Sequence, residues 1–137
     1  MAIEILLIED APTDVILTQT AFKRAGIRNP VRVVQNGEDA LDYIFQRGPY
    51  ADSARPGLVL LDLNLPGSVD GHEVLRRVRA EPATASIPVL VLTTSNEHID
   101  MLKSYELTAQ GFVTKPLDVR DLITVVATLD GLGIEIV

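Results

Sequence analysis

Apolar residues recur along the chain in five short, nearly unbroken runs, each closed by polar residues or by glycine and proline. The runs are residues 3–8, 31–34, 58–61, 89–92 and 111–113. A continuous apolar run of this length between turn signals is typical of a strand buried on both faces. The pattern therefore predicts five strands. The third of them ends at Asp62, close to the middle of the chain.

Between these strands, apolar residues recur at the three- and four-residue spacing of one helix face. This spacing predicts helices over about residues 12–25, 38–46, 96–107 and 119–129, and one that follows Gly71 and contains Val74, Leu75 and Val78. In the first helix, Leu17, Ala21 and Ala25 are expected to face inward, with Asp10 or Thr13 as the cap. Residues 47–56 are polar and contain two prolines, so a loop is expected there.

Strands and helices alternate five times, which predicts an α/β protein with a five-stranded, doubly wound parallel sheet. Right-handed crossovers point all strands the same way, so their carboxyl ends share one edge, where ligands bind in such sheets. The polar residues that follow the strands are Glu9, Asp10, Asp62, Thr93 and Lys115. We therefore expect three carboxylates, a hydroxyl and an ammonium group to meet at this edge.

The composition excludes several classes of function. The 137 residues suit one domain, expected to span 1–137 with residues 131–137 as a short tail and no output domain. There are no cysteines, which rules out disulfides, thiol catalysis and zinc–thiolate sites. The net charge of −7 disfavours binding to nucleic acid. No apolar run has the length of a membrane span and the first residues lack a basic region, so a cytoplasmic location is expected.

The carboxylates at the expected edge suggest a metal site. Three clustered carboxylates repel one another unless a cation compensates them. Magnesium prefers oxygen ligands and commonly binds through one or two carboxylates and phosphate oxygens. Asp10 and Asp62 are the expected direct ligands, and Glu9 is expected to act through water.

A nucleophilic carboxylate beside such a metal is suited to phosphoryl transfer. Aspartate accepts phosphoryl groups in known enzymes, forming an aspartyl phosphate. Lys115 would supply a flexible positive charge and Thr93 a hydroxyl donor to the phosphoryl oxygens. The pattern thus predicts that Asp62 is the acceptor.

Glu9–Asp10, Asp62, Thr93 and Lys115–Pro116, in this order and spacing, resemble the receiver domain of bacterial two-component response regulators. The resemblance extends from Ile3 to about residue 129. It implies a flavodoxin-like (βα)5 fold, and it implies that Asp62 receives its phosphoryl group from a phosphohistidine on a sensor histidine kinase. Such a protein signals through contacts with other proteins and is not itself an enzyme, apart from slow self-dephosphorylation.

The same resemblance implies further roles at the site. Mg2+, or Mn2+ as a substitute, would be held by Asp10, Asp62 and the main-chain carbonyl of Asn64. Asn64 and Ser95 stand where receivers tune hydrolysis of the aspartyl phosphate. Thr93 and Phe112 stand where receivers carry the switch pair, although Phe112 lacks the hydroxyl of the more common tyrosine. The loop after Asp62 is one residue longer than in chemotaxis-type receivers.

A narrower resemblance is to the stand-alone receivers associated with phytochromes. It rests on residues 92–96, on the loop at residues 47–56 and on the missing output domain. It implies a sensor kinase such as a bacterial phytochrome, and a homodimer formed through the last helix and the tail. The alternative for the apolar tail is that it folds back on its own domain.

Several of these residues also have alternative interpretations. Glu9 and Asp10 alone would be ordinary helix-capping acids. A haloacid-dehalogenase-type phosphatase also uses an aspartyl phosphate, but the Asp62-Leu63-Asn64 segment lacks the second acid of such enzymes. An unphosphorylated adaptor is disfavoured because all five key positions carry competent residues. Two histidines and three arginines are expected to face solvent: His72, His98, Arg76, Arg77 and Arg79.

Overall fold

The computed structural model describes residues 3–93, 111–115 and 119–127. The strands are β1 (Ile5–Ile8), β2 (Val31–Val34), β3 (Leu58–Asp62), β4 (Val89–Thr93) and β5 (Gly111–Thr114). The helices are α1 (Pro12–Arg24), α2 (Gly37–Ile44), α3 (Gly71–Ala80) and α4 (Val119–Ala127), with a short 3-10 turn at Gly48–Tyr50. All five strands lie where the apolar runs predict them. The helix expected at residues 96–107 and the tail at 131–137 lie outside the described residues.

The strands form one parallel sheet in the order β2-β1-β3-β4-β5. Ile8 pairs with Leu61, and Asp62 pairs with Leu92. Successive strands are added on both sides of β1, which makes the boundary between β1 and β3 the topological switch point. The carboxyl ends of β1, β3, β4 and β5 therefore meet at one edge, as predicted.

Alternate residues of the central strands belong to two hydrophobic cores, one on each face of the sheet. Leu6 and Leu61 pack in the core that includes residues of α2 and α3. Leu7 and Leu60 pack in the core that includes Phe22 of α1 and residues of α4. This alternation follows from the two-residue period of a strand. Helices cover both faces, which confirms the doubly wound α/β fold class.

Side-chain caps fix where α2 and α3 begin. Oδ1 of Asn36 accepts a hydrogen bond from the Asp39 N–H at 2.7 Å. Oδ1 of Asp70 accepts one from the Glu73 N–H at 2.9 Å. Such caps satisfy N–H groups that have no partner within the helix. The start of α3 is therefore set immediately after the loop that follows Asp62.

The inward face predicted for α1 is wrong at Leu17, whose side chain is 46% exposed. Thr18, Ala21 and Phe22 form the buried face instead. Consecutive residues lie about 100° apart around a helix, so Leu17 falls at the margin of the face centred on Thr18 and Phe22. The side-chain cap predicted for α1 is also wrong: Ala11 is the N-cap, and Pro12 follows without an N–H that needs a partner.

The arginines of α3 divide into two groups. Arg76 and Arg77 are exposed and both bind the Glu73 carboxylate, as expected for a solvated face. Arg79 is partly buried, and its guanidinium donates hydrogen bonds to the carbonyls of Ala85 and Ile87. The prediction of a solvent-facing residue is therefore wrong for Arg79. It is also wrong for His72, which is partly buried, and His98 lies outside the described residues.

Candidate functional site

Asp62 is the last residue of β3, and both of its carboxylate oxygens are held. Its side chain is buried at the carboxyl edge of the sheet. Oδ1 accepts a hydrogen bond from the main-chain N–H of Asn64 at 3.0 Å. Oδ2 lies 3.2 Å from Nζ of Lys115. These two contacts fix the orientation of the carboxylate relative to the end of the strand.

Glu9 and Asp10 follow β1, the strand next to β3. Glu9 has no exposed surface, and its Oε1 accepts a hydrogen bond from the Ala11 N–H at 3.2 Å. Asp10 is exposed. One carboxylate oxygen from each of Glu9, Asp10 and Asp62 lies within 4.8 Å of the other two. The structure therefore brings together the three acids that the sequence placed at one edge.

Lys115 directly follows β5 and lies between these acids. Its main-chain N–H donates to the Thr93 carbonyl at 2.8 Å, which extends the pairing of β4 with β5. Its Nζ lies 2.6 Å from Oε2 of Glu9 and 3.0 Å from Oδ2 of Asp14, in addition to the contact with Asp62. The ammonium group is thus shared by three carboxylates.

The burial of these charges shifts their proton affinities. Burial raises the pKa of Glu9 to about 7; the hydrogen bond from Lys115 opposes this rise, and the neighbouring Asp62 carboxylate adds to it. Burial alone would lower the pKa of Lys115. Hydrogen bonds to Glu9 and Asp14, with the charge of Asp62, outweigh that effect and hold this pKa well above its usual range. The cluster contains four carboxylates, three of which contact the single ammonium group of Lys115, so it keeps an excess of negative charge that a divalent cation would offset.

Thr93 is the buried last residue of β4 and stands next to Asp62 at the same edge, since Asp62 pairs with Leu92. Asn64 is exposed. Ser95 and the side chain of Phe112 lie outside the described part of the chain, although the Phe112 backbone pairs with Val91. The structure thus collects Glu9, Asp10, Asp62 and Lys115 in one cluster with Thr93 on the adjacent strand. The chemical roles assigned to these residues stay predictions.

Asp14 is the member of the cluster that the sequence reasoning missed. It lies in the first turn of α1, four residues after Asp10. Asp10 precedes the helix, so helical spacing does not relate it to Asp14. An acid in a first helical turn is common because it interacts favourably with the helix dipole, so Asp14 carried no distinguishing signal in the sequence.

The loop after Asp62 packs against the start of α2. Oε1 of Glu38 accepts a hydrogen bond from the Ser68 hydroxyl at 3.1 Å. Hydrogen bonds from the main-chain N–H of Glu38 itself and from the Ser68 hydroxyl lower the pKa of the Glu38 carboxyl group. Gly67 has a φ of 88°, a conformation that favours glycine. A side chain at Gly37 would place its Cβ 2.2 Å from the Val69 carbonyl oxygen, so loop and helix are in backbone contact.

The family follows from a sequence comparison. The profile of the response regulator receiver domain matches residues 5–127, nearly the whole chain. The chain belongs to the response regulator receiver family. This receiver therefore has the flavodoxin-like fold that its motifs imply, and it is a signalling protein.

Individual relatives of the receiver are phytochrome response regulators. Response regulator Rcp1 of Synechocystis sp. is 39% identical over 133 residues, covering 97% of this chain and 90% of Rcp1. The bacteriophytochrome response regulator RtBRR superposes with a TM-score of 0.89 at 41% identity, covering 95% of this chain and 79% of RtBRR. The receiver is thus homologous to regulators of the phytochrome-associated group.

Two further solved structures describe relatives in particular states. The phosphorylated cyanobacterial phytochrome response regulator RcpA has a TM-score of 0.79 at 36% identity, covering 97% of this chain and 94% of RcpA. The Mn2+-bound form of Rcp1 has a TM-score of 0.78 at 38% identity, covering 98% of this chain and 96% of that one. The acidic cluster of this receiver agrees with the ability of the family to bind Mg2+ or Mn2+.

Proposed function

We propose that this receiver accepts a phosphoryl group on Asp62 from a phosphohistidine of a sensor histidine kinase and signals through protein contacts that depend on this modification. The contact between Lys115 Nζ and Asp62 Oδ2 carries the proposal. A buried carboxylate held by a lysine beside two further acids has a nucleophilic oxygen and a preformed positive charge in one place.

In the transfer, a carboxylate oxygen of Asp62 forms a bond to phosphorus while the bond from phosphorus to the imidazole nitrogen breaks. The imidazole leaves with that electron pair, so no net oxidation occurs and the charge of the phosphoryl group stays at the site. Lys115 is the ammonium that pairs with the transferred oxygens. Thr93, buried at the end of the adjacent strand, supplies a hydroxyl donor to them.

Mg2+, with Mn2+ as a substitute, is the cofactor that fits the acid cluster. Asp10, Asp62 and the main-chain carbonyl of Asn64 would hold it, and Glu9 would act through water. When bound, the metal supplies positive charge next to the transferring oxygens. Two observations support the assignment: the carboxylate oxygens converge within 4.8 Å, and their negative charge exceeds what one lysine offsets.

Two pairs of residues complete the functional proposal. Thr93 and Phe112 form the switch that converts phosphorylation into a change of surface. Asn64 and Ser95 tune a slow, metal-dependent hydrolysis of the aspartyl phosphate, and we assign no other enzymatic activity. Asn64 is exposed and its main-chain N–H binds the Asp62 carboxylate, and this position between the acceptor and solvent supports its part in the assignment.

The partner proposals follow from the relatives. We propose a cytoplasmic single receiver domain over residues 1–137 whose kinase is a bacterial phytochrome, and a homodimer through the last helix and the tail. Downstream contacts are with protein and not with nucleic acid or membrane. Within the described residues, no helix combines the length and apolar character needed to cross a bilayer. Light scattering with and without a phosphoryl mimic tests the dimer, and a monomer in both states removes it.

Labelling with a small phosphodonor tests the acceptor. The receiver is incubated with acetyl phosphate and Mg2+, and intact-mass spectrometry measures the added phosphoryl group. Asp62→Asn is expected to abolish the adduct, while Asp52→Asn, which removes the same charge from an exposed turn, is expected to keep it. An undiminished adduct in Asp62→Asn would place the acceptor elsewhere. Phosphotransfer profiling against sensor kinases of the same genome then identifies the input.

A further inference from the structure

We propose that Asp14 is a positioning residue for Lys115: it competes with Asp62 and its phosphoryl group for the ammonium, and so limits how tightly the site holds that group. The inference rests on the proposed function of Asp62. It adds a residue that regulates the site, because none of the motif positions includes Asp14.

The geometry gives Lys115 no spare donor in this state. An ammonium group has three N–H donors. Its three carboxylate contacts, to Glu9, Asp14 and Asp62, are 2.6, 3.0 and 3.2 Å long. A phosphoryl group on Asp62 presents more oxygens and more negative charge than the carboxylate alone. Lys115 can strengthen its contact with that group only by weakening another, so the three acids are in competition.

Of the three contacts of Lys115, the one with Asp14 is the easiest to weaken. Its side chain is 37% exposed, whereas those of Glu9 and Asp62 are buried. Water can therefore replace Lys115 at Asp14, but not at Glu9. Asp14 also lies on α1 and not at a strand end, and the positive end of the helix dipole stabilises its charge. Asp14 thus occupies a donor of Lys115 that a phosphoryl group on Asp62 would otherwise use.

A titration with beryllium fluoride, a phosphoryl mimic, tests this competition. Fluorine NMR at saturating Mg2+ measures the bound fraction for the wild type and for Asp14→Asn, which keeps the size and removes the charge. Asp14→Asn is expected to bind the mimic roughly two- to fivefold more tightly, the range of a partly exposed ion pair. Asp14→Glu keeps the carboxylate and is expected to stay near the wild-type affinity. Asp52→Asn is the control for charge removal at a distance.

A double-mutant cycle decides whether Asp14 acts through Lys115. Contacting residues show non-additive effects in such a cycle, whereas independent ones add. In a Lys115→Met background, the gain from Asp14→Asn is expected to shrink to less than about half its size. An equal gain in both backgrounds would show direct repulsion and overturn the proposal. Unchanged or weaker binding in Asp14→Asn would overturn it as well.

Two controls separate folding and function from this inference. Circular dichroism checks that each variant is folded, and Asp14→Ala repeats the measurement without any side-chain oxygen. If the wild type does not bind beryllium fluoride in Mg2+, the proposed function of Asp62 fails. If the wild type binds it, Asp62→Asn does not, and Asp14→Asn equals the wild type, only the role of Asp14 fails.

Discussion

Nζ of Lys115 lies 2.6 Å from Oε2 of Glu9, a carboxylate with no exposed surface. The two residues are 106 positions apart in the chain, so this pair joins the end of β1 to the end of β5. A buried ion pair is costly to break from one side, since the remaining charge has no compensation. The pair therefore links the stability of the fold to the charge balance of the site.

Lys115→Met is accordingly expected to destabilise the fold. We expect the free energy of unfolding at pH 8 in metal-free buffer to fall by about 3–5 kcal/mol, the cost of removing one partner of a buried pair. Urea denaturation followed by circular dichroism measures it. Adding Mg2+ should recover part of the loss because the metal offsets the same carboxylates. Lys23→Met, at an exposed position near the end of α1, is the control and should change little.

Gly71→Ala is expected to disturb the end of β3. The added Cβ would lie 2.5 Å from the Leu63 Cα and 2.6 Å from the Asp62 carbonyl oxygen, both backbone atoms that cannot move aside easily. We expect a loss of about 1–3 kcal/mol of unfolding free energy, the range for overpacking, together with slower labelling of Asp62 by acetyl phosphate.

Gly48→Ala is the matched glycine substitution. Nothing lies within 4 Å of its Cβ position, so only its positive φ of 55° opposes the change. The expected cost is about 1 kcal/mol, with the labelling rate of Asp62 unchanged. Equal labelling rates in wild type and Gly71→Ala would show that the start of α3 does not position the acceptor.

Asp10→Asn tests the metal assignment. Removing a charged oxygen ligand is expected to weaken Mg2+ binding at least about tenfold, since hard cations depend strongly on ligand charge. Isothermal titration calorimetry measures the affinity, with Asp52→Asn as the variant of equal charge. An affinity equal to that of the wild type would remove Asp10 from the ligand set.

The ion cluster on α3 predicts a pH dependence away from the site. Hydrogen bonds from Arg76 and Arg77 lower the pKa of Glu73 from its usual value of 4.5 to about 2. A carboxyl group whose pKa is lower in the folded than in the unfolded protein stabilises the fold at pH values above its unfolded pKa. This contribution is lost as the pH falls from about 4.5 to about 2. Because the pair is solvent-exposed, we expect Glu73→Gln to cost less than about 1 kcal/mol at pH 7.

Urea denaturation of the wild type and Glu73→Gln at a series of pH values measures this contribution. The difference in unfolding free energy between the two proteins should narrow below pH 4.5. A difference that stays constant down to pH 3 would contradict the depressed pKa of Glu73 in the folded protein.

The sequence predicted the edge of the sheet well because each strand coincides with a nearly unbroken apolar run that ends at, or is followed by, a polar residue. Asp62 and Thr93 could therefore be placed without the structure, as could the position of Lys115 after β5. Surface helices were harder, since α1 buries Thr18 and exposes Leu17, and hydropathy alone ranks those residues the other way.

Contacts between side chains on different helices and strands could not be predicted from the sequence. Asp14 reaches Lys115 only because α1 begins beside the end of β5, and no local pattern states that distance. Arg79 likewise turns to the carbonyls of Ala85 and Ile87, which follow α3 in the chain. In both cases a long polar side chain finds a partner that tertiary folding brings near it.

The side chains of β3 alternate between the two hydrophobic cores, and this alternation sets the position of the acceptor. Val59 and Leu61 belong to the core with α2 and α3, and Leu58 and Leu60 belong to the other. A slip of one residue would exchange the two sets of side chains and break both cores at once. The register of β3, and with it the position of Asp62 along the sheet, is therefore fixed. Substitutions elsewhere can change the reactivity of the acceptor without moving it along the sheet.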